Sequence, residues 1–161
     1  MPNAIFWYRI ARYCYLRKIP IVPQLLRLLI FLVYNSRIPY QADIGKGTFC
    51  ICKGIGVVIM NRNVIGENCR IGIGVKFVGK APYKNIAKVG NNVYIGPGVV
   101  IVGPVIIEDN VIIAPNAVVT KSIRKGTIVG GIPAKVLGKV EDLEYNVFEN
   151  PAYLDGYADY L

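Results

Sequence analysis

Residues 89–123, VGNNVYIGPGVVIVGPVIIEDNVIIAPNAVVTKSI, carry an apolar residue at every sixth position: Val89, Ile95, Ile101, Ile107, Ile113 and Val119. Four positions after each of these comes a second small or β-branched residue, in Val93, Val99, Val105, Val111, Ala117 and Ile123. Two such rows at a fixed period define a solenoid, in which each hexapeptide makes one short strand and one turn and three hexapeptides close a triangular coil. The recurring aliphatics then stack inward and fill the prism.

The same phase extends towards the N-terminus through Ile59, Ile65, Ile71 and Phe77, with Cys69 and Val75 in the second row. Cys69 is thus expected to be a small core residue. Glycine follows several of the strand positions, in Ile65-Gly66, Ile71-Gly72 and Ile95-Gly96, where the backbone must bend tightly or take positive φ. Asn68, Asn92 and Asn110 occupy equivalent turn positions, and Asn tolerates the left-handed region better than most residues. From Phe77 to Val89 the spacing is two whole repeats, so residues 79–88, GKAPYKNIAK, read as a loop thrown out from one corner without loss of phase. In a rigid solenoid such an excursion is a natural wall for a binding site.

Outside the repeat the chain changes character. Residues 1–40 predict two helices: Ile5 to Arg17 alternates aromatics and arginines at helical spacing, and Pro23 starts a second segment running to Tyr34. That segment, PQLLRLLIFLVY, is too short for a bilayer span and contains Arg27. Packing against the solenoid or between subunits is one reading of it. Shallow attachment of this basic segment to an anionic membrane surface is the other. The organisation expected is therefore 1–40 helical, 41–138 solenoid with the loop at 79–88, and 139–161 a tail in which Tyr145, Tyr153, Tyr157 and Tyr160 stand among acids and suit docking elsewhere.

The 161-residue chain fits one domain, and a 53% hydrophobic composition rich in Gly, Ile and Val excludes a disordered protein. Its net charge of +9 is unevenly spread: residues 1–43 hold six basic groups and the single acid Asp43, while 44–140 hold thirteen basic and three acidic groups. The last twenty-one residues reverse the sign with six acids and no Lys or Arg. The basic middle either attracts a polyanionic ligand or is neutralised by the tail, and the two are compatible. Scattered round a solenoid without a reading module, these groups argue against nucleic-acid binding. Cys14, Cys50, Cys52 and Cys69 form no paired metal-binding motifs, and there is no histidine, so no metal is expected. Reduced thiols in a cytoplasmic protein are the expectation.

The motifs taken together resemble the hexapeptide-repeat acyltransferases, in particular their serine acetyltransferase-like branch. The likeness runs from FWYRIARYCYLRKIP (6–20) through IPYQADIGKGTF and GIGVVIMNRNVIGENCRIG to the closing VGGIPAKVLGKV (129–140). It implies an all-β solenoid, a left-handed parallel β-helix with an N-terminal helical segment and a short C-terminal extension. The handedness comes from the resemblance, since periodicity alone does not show it. It also implies a homotrimer holding acetyl-CoA between neighbouring subunits, and a small-molecule acceptor such as a sugar or amino acid, including a role in surface-polysaccharide synthesis. Carried over by motif, Gly79 offers a backbone amide to the thioester region, Gly96, Gly98, Ala114 and Pro115 line the pantetheine arm, and Lys121, Pro133 and Lys135 lie towards the nucleotide end.

The family's general base is histidine, and this chain contains none. Lys53, Met60 or Gly72 stands at the usual histidine position, depending on the branch aligned, and Met60 cannot accept a proton. Lys53, Glu67 and Tyr83 are the leading candidates for a replacement, with Glu108 and Asp109 beside them. Positioning and backbone donors with a weak or substrate-derived base are a second explanation, and a catalytically inactive trimeric scaffold is the alternative. The lack of histidine also sets aside the zinc carbonic anhydrases built on the same fold.

Overall fold

In a computed structural model, described over residues 1–144, two helices lead into a β-solenoid. Helix α1 (Ala4–Leu16) starts where the Asn3 side chain accepts a hydrogen bond from the Ile5 amide, satisfying one of the otherwise orphaned donors of the first turn. Its face of Ala4, Ile5, Tyr8 and Ala11 is buried. Helix α2 (Val22–Tyr34) has proline in its first turn and ends at Asn35 in the left-handed conformation. Both helices lie where the aromatic and proline spacing placed them.

The strands are short, as hexapeptide rungs must be. In chain order they are β1 (Asp43–Ile44), β2 (Phe49–Cys50), β3 (Val64–Ile65), β4 (Arg70–Ile71), β5 (Lys76–Val78) and β6 (Lys88–Val89). There follow β7 (Tyr94–Ile95), β8 (Val100–Val102), β9 (Ile106–Ile107), β10 (Ile112–Ile113), β11 (Val118–Val119), β12 (Thr127–Gly130) and β13 (Lys135–Lys139). Three sheets form the faces of a prism: β1-β3-β6-β9 is the first face, β2-β4-β7-β10-β12 the second, and β5-β8-β11 the third. All these pairings are parallel, and β13 alone folds back antiparallel on β12. The solenoid is the left-handed β-helix that the resemblance implied.

From β1 to β11 each strand's second residue points inward, so Ile44, Ile65, Val89 and Ile107 stack behind the first face, Cys50, Ile71, Ile95 and Ile113 behind the second with Val129 of β12 above them, and Phe77, Ile101 and Val119 behind the third. Full burial of such a side chain contributes about 1.5–3 kcal/mol, and here it recurs on every rung. Cys69 belongs to the corner column of this core, as its repeat position required.

Coil length records the interruptions. On the third face the paired residues Arg37, Val58, Lys76, Val100 and Val118 lie 21, 18, 24 and 18 residues apart. Eighteen is three hexapeptides. The extra six belong to the excursion between β5 and β6, and the extra three to the 3-10 turn Ile51–Gly54, where Cys52 and Lys53 take left-handed φ values of 52° and 63°. That insertion explains why the six-residue phase begins only at Ile59.

The first coil is stitched by polar side chains standing in core columns. Ser36 Oγ donates to the Gly54 carbonyl at 2.6 Å and accepts from the Val57 amide at 2.9 Å. Thr48 Oγ1 donates to the Gly66 carbonyl and accepts from the Cys69 amide, and Asn63 bridges the Met60 amide and the Ala87 carbonyl. Buried polar groups are tolerated when bonded on both sides in this way.

The glycines and asparagines divide the corner work. Asn68, Asn92 and Asn110 take positive φ as anticipated. Gly66, Gly72 and Gly96 do not; of the two reasons open for them, close backbone approach is the operative one. A Cβ on Gly72 would lie 2.5 Å from the nitrogen of Pro97 in the next coil.

Candidate functional site

The three corners of the prism, each a column of turns, determine which candidate residues meet. One leads from the second face to the third and contains 51–57, 72–75, 96–99 and 114–117. Here Gly96 lies directly beneath Ala114 and Pro115, and Gly98 beneath Asn116. The Asn116 amide donates to the Pro97 carbonyl at 2.8 Å, and the Gly98 amide to the Ile73 carbonyl at 2.8 Å. Above them Gly130 sits against Ala114, and the closing GGIPAK segment is fastened to the third face by Val118 N–H to the Gly131 carbonyl and Ala134 N–H to the Val118 carbonyl. Four donor-side candidates, Gly96, Gly98, Ala114 and Pro115, thus form one continuous backbone edge, with Pro133 at its upper end. Lys135 opens β13 and is exposed beyond that edge.

Gly79 and Lys121 stand at the opposite border of the third face, each just after a strand of that face and in the same column as Gly103. Gly79 has nothing within 4 Å of the position a Cβ would take, so space is open at the root of the excursion. The third face is therefore framed by donor-side candidates on both borders.

The candidate bases are not brought together within one chain. Lys53 lies at the corner between the second and third faces, Glu67 at that between the first and second, and Tyr83 in the excursion between the third and first. All three are exposed. Met60 is half-buried against the core, with its amide bound by Asn63. Gly72 is buried in the corner stack. Glu108 and Asp109 have structural partners: Glu108 Oε2 accepts from the Lys125 amide at 2.8 Å, and Asp109 Oδ1 from the Asn91 amide at 2.7 Å. Burial pushes the Cys50 thiol up to about 12 and raises that of Cys69, so neither supplies a thiolate near neutrality; Cys52 is exposed.

The excursion does wall a cleft. A recess of about 380 Å³ lies where Arg62, Asn85, Ile86, Lys88 and Ile106 meet, and a second of about 370 Å³ adjoins it across Lys88 and Ile106 towards Lys125. Arg62, Asn85 and Lys88 were not singled out from sequence. Arg62 is two positions past Met60 and 26 before Lys88, a separation that only the coil count converts into proximity. Their cationic groups suit an anionic or polar ligand. Among the described residues no three of His, Cys, Asp and Glu gather as a metal site.

Residues 86–121 match the family described as bacterial transferase hexapeptide (six repeats). A serine acetyltransferase of Synechococcus elongatus is 34% identical over 137 residues, covering 84% of this chain and 56% of that protein. One from Helicobacter pylori strain J99 is 32% identical over 139 residues, covering 85% of this chain and 81% of its own length. The crystal structure of serine acetyltransferase in complex with coenzyme A from Brucella abortus superposes with a TM-score of 0.79 at 27% identity, covering 84% of this chain and 55% of that one. The chain thus spans little more than half of the Synechococcus and Brucella proteins.

Proposed function

Since this chain belongs to the hexapeptide-repeat transferase family and stands there with the serine acetyltransferases, we propose that it transfers an acetyl group from acetyl-CoA to a hydroxyl or amino group of a small acceptor. The observation that carries this reading is the unbroken edge of Gly96, Gly98, Ala114 and Pro115, continued by the GGIPAK segment fastened beside β11. Apart from Asn116, whose side chain lies over Gly98, the side chains along it are small or absent, so an extended ligand arm can lie close to backbone amides and carbonyls. The solved relative that holds coenzyme A shares this fold over most of the chain. Lys121 and Lys135, both exposed, are assigned to the phosphates of the nucleotide end on the strength of the family resemblance.

In the reaction the acceptor oxygen or nitrogen attacks the thioester carbonyl carbon. The acceptor proton passes to a base, a tetrahedral oxyanion forms, and the C–S bond then breaks to release CoA as the thiol. Backbone amides at the root of the excursion, beside Gly79, suit the oxyanion, because preorganised donors aimed at developing charge are the largest single source of acceleration in acyl transfer. With no histidine in the chain, the base is drawn from Lys53, Glu67 or Tyr83. These occupy three different corners, and a homotrimer of side-by-side prisms, as the family resemblance implies, would set the face of one copy against a corner of the next.

The acceptor is an amino acid or a sugar, the latter including one destined for surface polysaccharide. Thiol release from acetyl-CoA with a panel of serine, amino sugars and nucleotide sugars tests the reading, alongside calorimetry with CoA. CoA binding and acceptor-dependent thiol release are the expected results, with light scattering giving three times the 17.8 kDa chain mass. No binding at millimolar CoA removes the donor site; binding with no turnover on any acceptor replaces the enzyme by the scaffold.

A further inference from the structure

We propose that helix α2 docks this protein on an anionic phospholipid surface. A surface helix should turn its apolar stripe to the core and its polar residues to water. α2 buries Pro23, Ile30 and Tyr34, yet its outer side is also apolar: Leu25, Leu28, Phe31 and Leu32 are 58%, 52%, 55% and 71% exposed. They fall three and four residues apart, so they form one stripe, and a contiguous exposed stripe of this kind marks an interaction surface.

The charges round the stripe select the occupant. Arg27 lies within it, Arg17 and Lys18 lead into it, and Arg37 follows it; no acid precedes Asp43, which is bound to Arg12 at 2.8 Å. Among the described residues neither Arg27 nor Arg37 is in an ion pair. Together with Leu28, Phe31 and Ser36 they line a recess of about 390 Å³. Two guanidinium groups beside an apolar wall match a phosphate headgroup with the acyl chain next to it. Two-fold pairing with a second copy is disfavoured, because setting the stripe against itself opposes Arg17, Lys18 and Arg27 to their own equivalents without acids to answer them. α2 has 13 residues, and no helix among those described is long and apolar enough to cross a membrane, so the geometry is that of a helix lying in the interface.

The test is co-sedimentation of the full chain with vesicles of phosphatidylcholine alone and with about a third phosphatidylglycerol, at low and high salt. Binding is expected to the anionic vesicles and to weaken with salt. R27Q/R37Q should lower the partition by roughly ten-fold or more, each cation near the surface counting about five-fold. L28E/L32E should abolish it while leaving the thermal melt unchanged, since both side chains are exposed. Absence of sedimentation, or equal binding to neutral vesicles that R27Q/R37Q leaves intact, overturns the proposal. So does a fall in oligomeric mass on L28E/L32E, which would show a second copy covering the stripe.

Discussion

A Cβ built on Gly96 would lie 2.6 Å from the nitrogen of Pro115, so these residues hold two successive coils backbone to backbone at the edge assigned to the donor. Real Cβ atoms do not approach that closely, and Gly96→Ala must push the coils apart, at a cost in the 1–3 kcal/mol range of overpacking. Gly138, with open space round its Cβ position and no positive φ, is the control. Chemical denaturation should show a clear loss for Gly96→Ala and almost none for Gly138→Ala, and calorimetry should show weaker CoA binding for the first alone.

At the join between α1 and the first coil, where Asn3, Arg9 and Arg12 also bond to the coil, one phenol is bonded on both sides. Tyr8 Oη donates to the Ala42 carbonyl at 2.7 Å and accepts from the Ile44 amide at 3.2 Å, both in the interior. Tyr8→Phe keeps the ring and strands both backbone groups, which should cost about 1–3 kcal/mol. Urea titration checks it, and an unchanged midpoint would mean that water reaches these groups.

Alkaline pH should weaken the fold. Cys50 stays protonated in the folded chain to about 12, against an ordinary 9.0, because burial disfavours the thiolate. Above the ordinary value the unfolded chain loses this proton while the folded chain keeps it, so stability is full below about pH 9 and falls as pH rises towards 12. Cys69 and Tyr8, both raised by burial, act in the same direction. Melting temperatures from pH 8 upward should decline in the wild type and decline less steeply in Cys50→Ala.

Lys53→Met, Glu67→Gln and Tyr83→Phe, made singly, separate the candidate bases. All three side chains are exposed, so folding should survive each change. The residue acting as base should lose about a hundred- to ten-thousand-fold in kcat with KM little altered, and the others should remain near wild type. Three near-normal variants would point to a substrate-derived base.

How much of this was legible beforehand depends on the range of each interaction. The six-residue period, the asparagine turns, the core position of Cys69 and the helix begun by Pro23 are local features, repeated or flanked by their own signals, and the chain read alone displayed them. The role of Gly66, Gly72 and Gly96 stayed open between two reasons, because the atom that excludes a side chain belongs to the next coil.

Position round the prism was different in kind. One three-residue insertion at Ile51–Gly54 and one six-residue excursion after β5 change the coil lengths to 21 and 24, and each shifts which residues lie above one another. The amino-acid order therefore determined that this protein is a stacked solenoid with small residues along one edge, since inward aliphatics at a fixed period have no other way to be buried. Only the folded chain decided that Lys53, Glu67 and Tyr83 face three different directions and that Arg62 meets Lys88, because corners are assigned by how many residues each turn consumes.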